Sequence, residues 1–255
     1  MRHQRQLDIV HRLRVDGATS VDDLATKLRV SSATIRRDLQ RLDAAGQLTR
    51  VHGGAFLQVS AGEDADVDRP FAEVATVDAP YKRAVAKAAA GLVTDGDVLL
   101  LDIGTTTQLL ARELRGRKVT VITASLAVVD VLRDDSGVEL VVLGGAVRRA
   151  YHSLVGVLTE DCLRQVRADL GFLGASGVRP NGDVLDTTLV EVPVKRALMA
   201  ASARVVLLAD RHKFPGTGTL RVCGIPDLSI LVTNVGTDPA TVHACEQSGV
   251  EVLSA

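Results

Sequence analysis

From residue 98 onward the chain returns repeatedly to short, unbroken apolar runs: VLLLDI (98–103), VTVIT (119–123), VELVVLG (138–144), LGFLGAS (170–176), RVVLLAD (204–210) and LSILVTN (228–234). Each has the length of a strand and the aliphatic, β-branched composition that strands favour. None shows the in–out alternation of a sheet with one wet face, so both faces of these strands must be covered. Most of the intervals between them are long enough for a helix. Apolar strands alternating with helices predict a largely parallel, Rossmann-like α/β sheet, opened by a helix at YKRAVAKAAAGLV (81–93) and closed by a last strand in GVEVLSA (249–255).

Charge separates this body from what precedes it. Residues 1–60 carry ten Lys/Arg against six Asp/Glu, and the remaining residues carry twenty against twenty-five, so a formal net charge of −1 conceals a basic head on an acidic body. The head has its own pattern. Leu7, Val10 and Leu13 recur at helical spacing before Gly17. Ser20 and Asp23 resemble a capping box for a short helix through Leu28, and Ser31 or Ser32 caps a third helix that ends at Gly46. Two short strands around Gly53 and Gly54 then read as a wing. The acidic stretch that follows, with two prolines by Pro80, reads as a linker. The expected organisation is a winged helix–turn–helix in residues 1–57, a linker in 58–79 and an α/β effector-binding domain in 80–255.

On the third helix Ile35, Leu39 and Leu42 fall within about 40° of one another and form a buried stripe. The opposite face carries Ala33, Arg37, Gln40 and Arg41, flanked by Thr34 and Arg36. A helix–turn–helix sets such a face in the DNA major groove, where Arg bonds guanine and Gln or Thr reads other base edges. A solvated charged helix would carry the same residues. VSSATIRRDLQRLDAAGQLTRVHGGA (30–55) resembles the signature of the DeoR family of bacterial transcriptional regulators, at nearly every signature position. The resemblance implies a recognition helix over Ser32–Ala45, with Ser32, Thr34, Arg36, Arg37, Gln40 and Arg41 as DNA contacts and Arg50, His52 and Gly53 as the wing. His52 reads equally well as an ordinary turn residue.

In the body, VLLLD runs directly into IGTTTQLL (103–110), a small polar loop that opens a helix. Backbone N–H groups, hydroxyls and the positive end of a helix dipole suit a phosphate, although Gly and Thr are also ordinary cap residues. Further polar stretches follow at GGAVRRAYHSLVG (144–156), DLGFLGASG (169–177), EVPVK (191–195) and ADRHK (209–213), most at or near strand ends, where α/β sheets bind ligands. In order, these stretches resemble the effector domain of the same family, which is similar to ribose-5-phosphate isomerase. That resemblance implies a phosphorylated sugar or related metabolite held by Asp102, Gly104, Thr105, Thr106, Thr107, Gly144, Gly145, Glu191, Lys195 and Lys213. Lys195 and Lys213 would meet its charge, and Asp102 and Glu191 its hydroxyls. Glu191 and Lys195 could instead be an i,i+4 surface ion pair. Val74 and Tyr81 depart from the family pattern, whereas Lys82 keeps it.

Other chemistries find little support. Cys162, Cys223 and Cys245 are widely spaced without a CxxC pair, and the six histidines are dispersed, so no disulfide framework, metal site or cofactor is expected. The first residues lack the apolar core of a signal peptide and no apolar run reaches membrane-spanning length, which predicts a cytoplasmic chain without a membrane partner. Six aromatic residues make a poor stacking platform for single strands or RNA. An isomerase- or transferase-like enzyme with an accessory head is the alternative, but by the resemblance the isomerase's catalytic glutamate falls near Lys195, which predicts binding without turnover. The expected protein is a repressor of sugar-metabolism genes that binds a double-stranded DNA operator as a dimer or tetramer.

Overall fold

The computed structural model describes Arg5, Ile9 and residues 19–28, 30–44, 48–51, 54–56 and 70–255. The chain divides into two compact units, residues 1–65 and 66–255.

In the first unit, strand β1 (Thr19–Ser20) leads into helix α1 (Val21–Leu28), and helix α2 spans Ser32–Ala44. The Ser20 Oγ accepts from the Asp23 amide at 3.1 Å and donates to its carboxylate at 2.7 Å, which is the expected start of α1. Ser31 rather than Ser32 caps α2, its Oγ accepting from the Thr34 amide at 3.3 Å. Strands β2 (Thr49–Val51) and β3 (Gly54–Phe56) pair antiparallel, and β1 adds to β3 as a third strand. That third strand was not foreseen, being only two residues long. Of the first expected helix only Arg5 and Ile9 are described; both are helical, and Ile9 is buried with Leu24, Ile35, Leu39 and Leu42.

The second unit begins with helices α3 (Phe71–Thr76) and α4 (Ala79–Ala90). Helix α3 lies in the stretch assigned above to a linker. It is ordered because Phe71 and Val74, one turn apart, are both buried, a pair too short to register as periodicity. Strands β4 (Val98–Leu101), β5 (Val119–Thr123), β6 (Val138–Val142), β9 (Ala168–Gly174), β12 (Ser202–Leu208), β14 (Ile230–Thr233) and β15 (Glu251–Ser254) form a seven-stranded sheet, order β15-β14-β12-β9-β4-β5-β6. Every pair in it is parallel. The helices between these strands are α5 (Thr105–Glu113), α6 (Leu126–Leu132), α7 (Val157–Arg164), α8 (Val192–Ala200) and α9 (Pro239–Gln247).

Successive β4 side chains show why the runs are continuous. Leu99 and Leu101 pack on one face with Val85 and Ala89 of α4 and Leu110 of α5, while Leu100 packs on the other with Val194 and Leu198 of α8. Two small antiparallel additions interrupt the alternation: hairpin β7 (Ala146–Arg148) and β8 (Ser153–Val155), and a sheet of β10 (Gly177–Val178), β11 (Asp183–Asp186) and β13 (Leu220–Gly224). No helix among the described residues is long and apolar enough to cross a membrane.

Candidate functional site

In the first unit, Ile35, Leu39 and Leu42 turn inward, and Arg36, Arg37, Gln40 and Arg41 are exposed on α2. Arg36 and Arg37 make no ion pair with any described residue. Ser32 begins the helix half-buried, and the Thr34 hydroxyl bonds the Ser31 hydroxyl at 2.9 Å. Asp38, between the arginines and the core, is 1 % exposed and accepts a charge-assisted bond from Arg5 Nε at 2.6 Å. It ties α2 to Arg5, a structural role that its place beside Ile35 on the buried side of the helix could have signalled. Arg41 stands 4.0 Å from the same carboxylate. Arg50 lies in β2 of the wing, and His52 and Gly53 fall outside the described residues.

In the second unit the strand order decides where a ligand can sit. From β4 the chain moves outward through β5 and β6, then returns to the other flank of β4 as β9 and moves outward through β12, β14 and β15. A crevice opens beyond the carboxyl ends of β4 and β9, where the direction of winding reverses. Ile103 to Thr107, Gly174 to Ser176, Asp186 to Thr188, Glu191, Lys195 and Lys213 line it, with Val74, Lys82 and Tyr151.

Its floor is a buried charge network. Asp102, directly after β4 and 1 % exposed, accepts from the Gly174 amide at 2.9 Å and from Lys195 Nζ. Lys195 also donates to the Gly174 carbonyl at 3.0 Å and lies 3.4 Å from Asp186. Burial alone would discharge this ammonium, but the carboxylates of Asp102, Asp186 and Glu191 hold it protonated above the ordinary lysine range. Two hydrogen bonds and a further carboxylate at 3.4 Å surround the Lys195 ammonium, so most of its charge is met inside the floor. Glu191 and Lys195 are both 3 % exposed, so they are not a surface pair. Glu191 is the N-cap residue of α8, outside the helix, with Pro193 in its first turn, where a missing N–H is tolerated. Desolvation pushes its carboxyl up to about 7, with Asp186 and Asp102 adding to the rise against the attraction of Lys195 and Arg148. Arg148 contacts its Oε1 at 2.5 Å and Ser153 donates to it at 3.3 Å.

The rim differs. Gly104 precedes α5 in extended conformation, its N–H donating to Thr107 Oγ1 at 2.9 Å, and the Thr107 hydroxyl lies 2.7 Å from the Asp102 carbonyl. Thr107 therefore fixes the turn. The hydroxyls of Thr105 and Thr106 bond no described residue, and the amides of this first turn have no intrahelical acceptor. The Lys213 ammonium, in a 3-10 turn after β12, likewise has no described partner. Lys82 Nζ donates to the Val74 carbonyl at 2.7 Å within the wall. Gly144 and Gly145 do not line the crevice; they stand at the root of the β7–β8 hairpin, where the Gly144 carbonyl accepts from Thr159 at 2.7 Å. What that stretch brings to the site is Arg148 and Tyr151, which sequence reasoning did not single out. Asp186 was missed as well, because no local motif marks it.

A family model described as the DeoR-like helix-turn-helix domain matches residues 5–60, and one described as the DeoR C terminal sensor domain matches residues 78–235. The transcriptional repressor AccR of Agrobacterium fabrum is 33 % identical over 235 residues, 91 % of this chain and 90 % of AccR. The glycerol-3-phosphate regulon repressor of Haemophilus influenzae is 34 % identical over 235 residues, 91 % of this chain and 88 % of its own. Among solved structures, ribose 5-phosphate isomerase A of Methanocaldococcus jannaschii matches 52 % of this chain and 53 % of its own with 23 % identity and a TM-score of 0.38. With its head and its body each matched by the family's own domain and its relatives aligned nearly end to end, the chain belongs to the DeoR family of DNA-binding transcriptional regulators and is not an enzyme.

Proposed function

We propose that the protein represses carbohydrate-related genes and leaves its operator when a phosphorylated sugar or related metabolite occupies the crevice. One observation carries the ligand class: the first turn of α5, with the hydroxyls of Thr105 and Thr106, and the Lys213 ammonium, none of them bonded to a described residue, line the same crevice. Donors of that kind match a phosphate, whereas Asp186 and Glu191 of the floor match hydroxyls. The H. influenzae relative, named for glycerol 3-phosphate, supports the same class. Release requires the ligand to bind the low-affinity form better than the DNA-bound form. One head offers few base contacts, so we further propose a homo-oligomer, dimer or tetramer, reading repeated half-sites.

The test is fluorescence anisotropy of a labelled operator with the whole protein, titrated with glycerol 3-phosphate, ribose 5-phosphate and hexose 6-phosphates beside the unphosphorylated compounds. At least one phosphorylated compound should release the operator where its parent sugar does not. Lys213→Ala should bind DNA normally and resist release. Equal potency of sugar and sugar phosphate, or normal release of the variant, would overturn the phosphate assignment.

A further inference from the structure

Asp210, His212 and Asp78 meet beside the crevice, outside the network just described. His212 Nδ1 lies 3.1 Å from Asp78 Oδ1 and 3.6 Å from Asp210 Oδ1. One donor atom from each of the three residues falls within 4.8 Å of the others. We propose that these three side chains form a binding site for one divalent first-row metal ion.

The decisive group is Asp210. It is 1 % exposed, and its carboxylate faces the imidazole through Oδ1, which also accepts from the His212 amide at 3.0 Å. Its second oxygen, Oδ2, is equally buried and has no hydrogen-bond partner among the described residues. A buried carboxylate oxygen left bare loses its hydration without replacement, and a cation is the partner that restores most. The surrounding cations do not supply it. The Arg211 guanidinium is turned onto the Tyr81 ring at 5.3 Å, and Lys213 faces the crevice. Two carboxylates therefore share one imidazole.

Asp78 departs from habit in a consistent direction. It is the N-cap residue of α4, the position where an aspartate usually accepts from its own first turn, yet it makes no such bond and takes a left-handed backbone, φ 54°. Its carboxylate goes to His212 instead. Two oxygens and one imidazole nitrogen suit Zn²⁺, Co²⁺ or Mn²⁺. Ligands about 2.1 Å from a shared tetrahedral ion stand about 3.4 Å apart, so small rotations of the half-exposed Asp78 and His212 side chains close the site, with its remaining positions open to water. The dispersed histidines gave no hint of it, because Asp78 lies far away in sequence. An ion there would clamp the turn that carries Lys213 to the start of α4.

The whole protein, stripped with a chelator, is titrated with CoCl₂ while visible d–d absorption is followed, and with ZnCl₂ by calorimetry. The expected result is saturation at one equivalent per chain, with Zn²⁺ displacing Co²⁺. Affinity should fall at least 100-fold in both Asp210→Asn and His212→Ala and stay unchanged in His243→Ala, a control on α9. His212 is exposed, so its variant will fold and decides the matter if Asp210→Asn does not. No saturable binding, or binding retained by the His212 variant, would overturn the proposal.

Discussion

Lys195→Met asks how much of the sensor's stability rests on one buried ammonium. The methionine keeps the apolar stem and removes the charge, leaving Asp102 and Asp186, 1 % and 4 % exposed, to share a site without a cation. Removing one partner of a buried pair costs about 3–5 kcal/mol, and with two carboxylates on one lysine the upper end applies, about 5 kcal/mol. At about 2–4 °C per kcal/mol for a body of this size, the midpoint should fall by about 10–20 °C. The chain has no tryptophan, and both tyrosines, Tyr81 and Tyr151, are in the second unit, so tyrosine fluorescence follows that unit's unfolding selectively.

Two controls separate this charge argument from simple mispacking. Protonation relieves an uncompensated carboxylate, so the deficit of the variant against the parent should be largest near pH 7 and shrink towards pH 4. Adding Asp102→Asn to Lys195→Met should recover part of the loss, since the two positions are coupled and not additive. A deficit below about 1 kcal/mol, or one of the same size at both pH values and untouched by the second change, would refute the account of Lys195 as the counter-ion of the floor.

Glu191→Gln should act in the opposite direction. Its carboxyl, ordinarily near 4.5, titrates at about 7 in the fold, so between these values the folded protein holds a proton that the unfolded chain has released. Stability should therefore fall with rising pH across that window, by at most about 3.5 kcal/mol at about 1.4 kcal/mol per pH unit, and the glutamine variant should lack that slope in fluorescence melts from pH 4.5 to 8. On α2, Arg37→Ala should cost about 1–3 kcal/mol in operator binding and relax preference at one base position. Arg36→Ala should weaken all duplexes about equally and lower the salt dependence, both read by anisotropy at several salt concentrations. Normal operator binding by Arg37→Ala would remove α2 from the major groove.

The sequence was most informative where a physical constraint is local. An unbroken run such as VLLLD can be buried on both faces only in a covered sheet, and the spacing of Ile35, Leu39 and Leu42 leaves one face for a helix to hide. Such patterns located the six named strands, the final edge strand and the exposed arginines. They failed on pieces too short for a period: β1 with two residues, α3 with six, and the three-residue strands of the β7–β8 hairpin.

The candidate site was legible in position but not in wiring, and the reason is topological. Asp102 could be placed at a strand end from VLLLD alone, and strand ends are where such sheets bind ligands. Its partner Lys195 is 93 residues away, and the contact exists because β9 returns to the flank of β4 and carries α8 back over the same crevice. No periodicity encodes that return. The same ignorance left an ordinary i,i+4 surface pair open as the alternative for Glu191 and Lys195, since spacing along a helix says nothing of which face is covered. Once the strand order is known, the two lysines separate by chemistry: Lys195, buried among three carboxylates, holds the floor together, and Lys213, half-exposed on the rim with no partner among the described residues, is the one whose charge the proposed phosphate would meet.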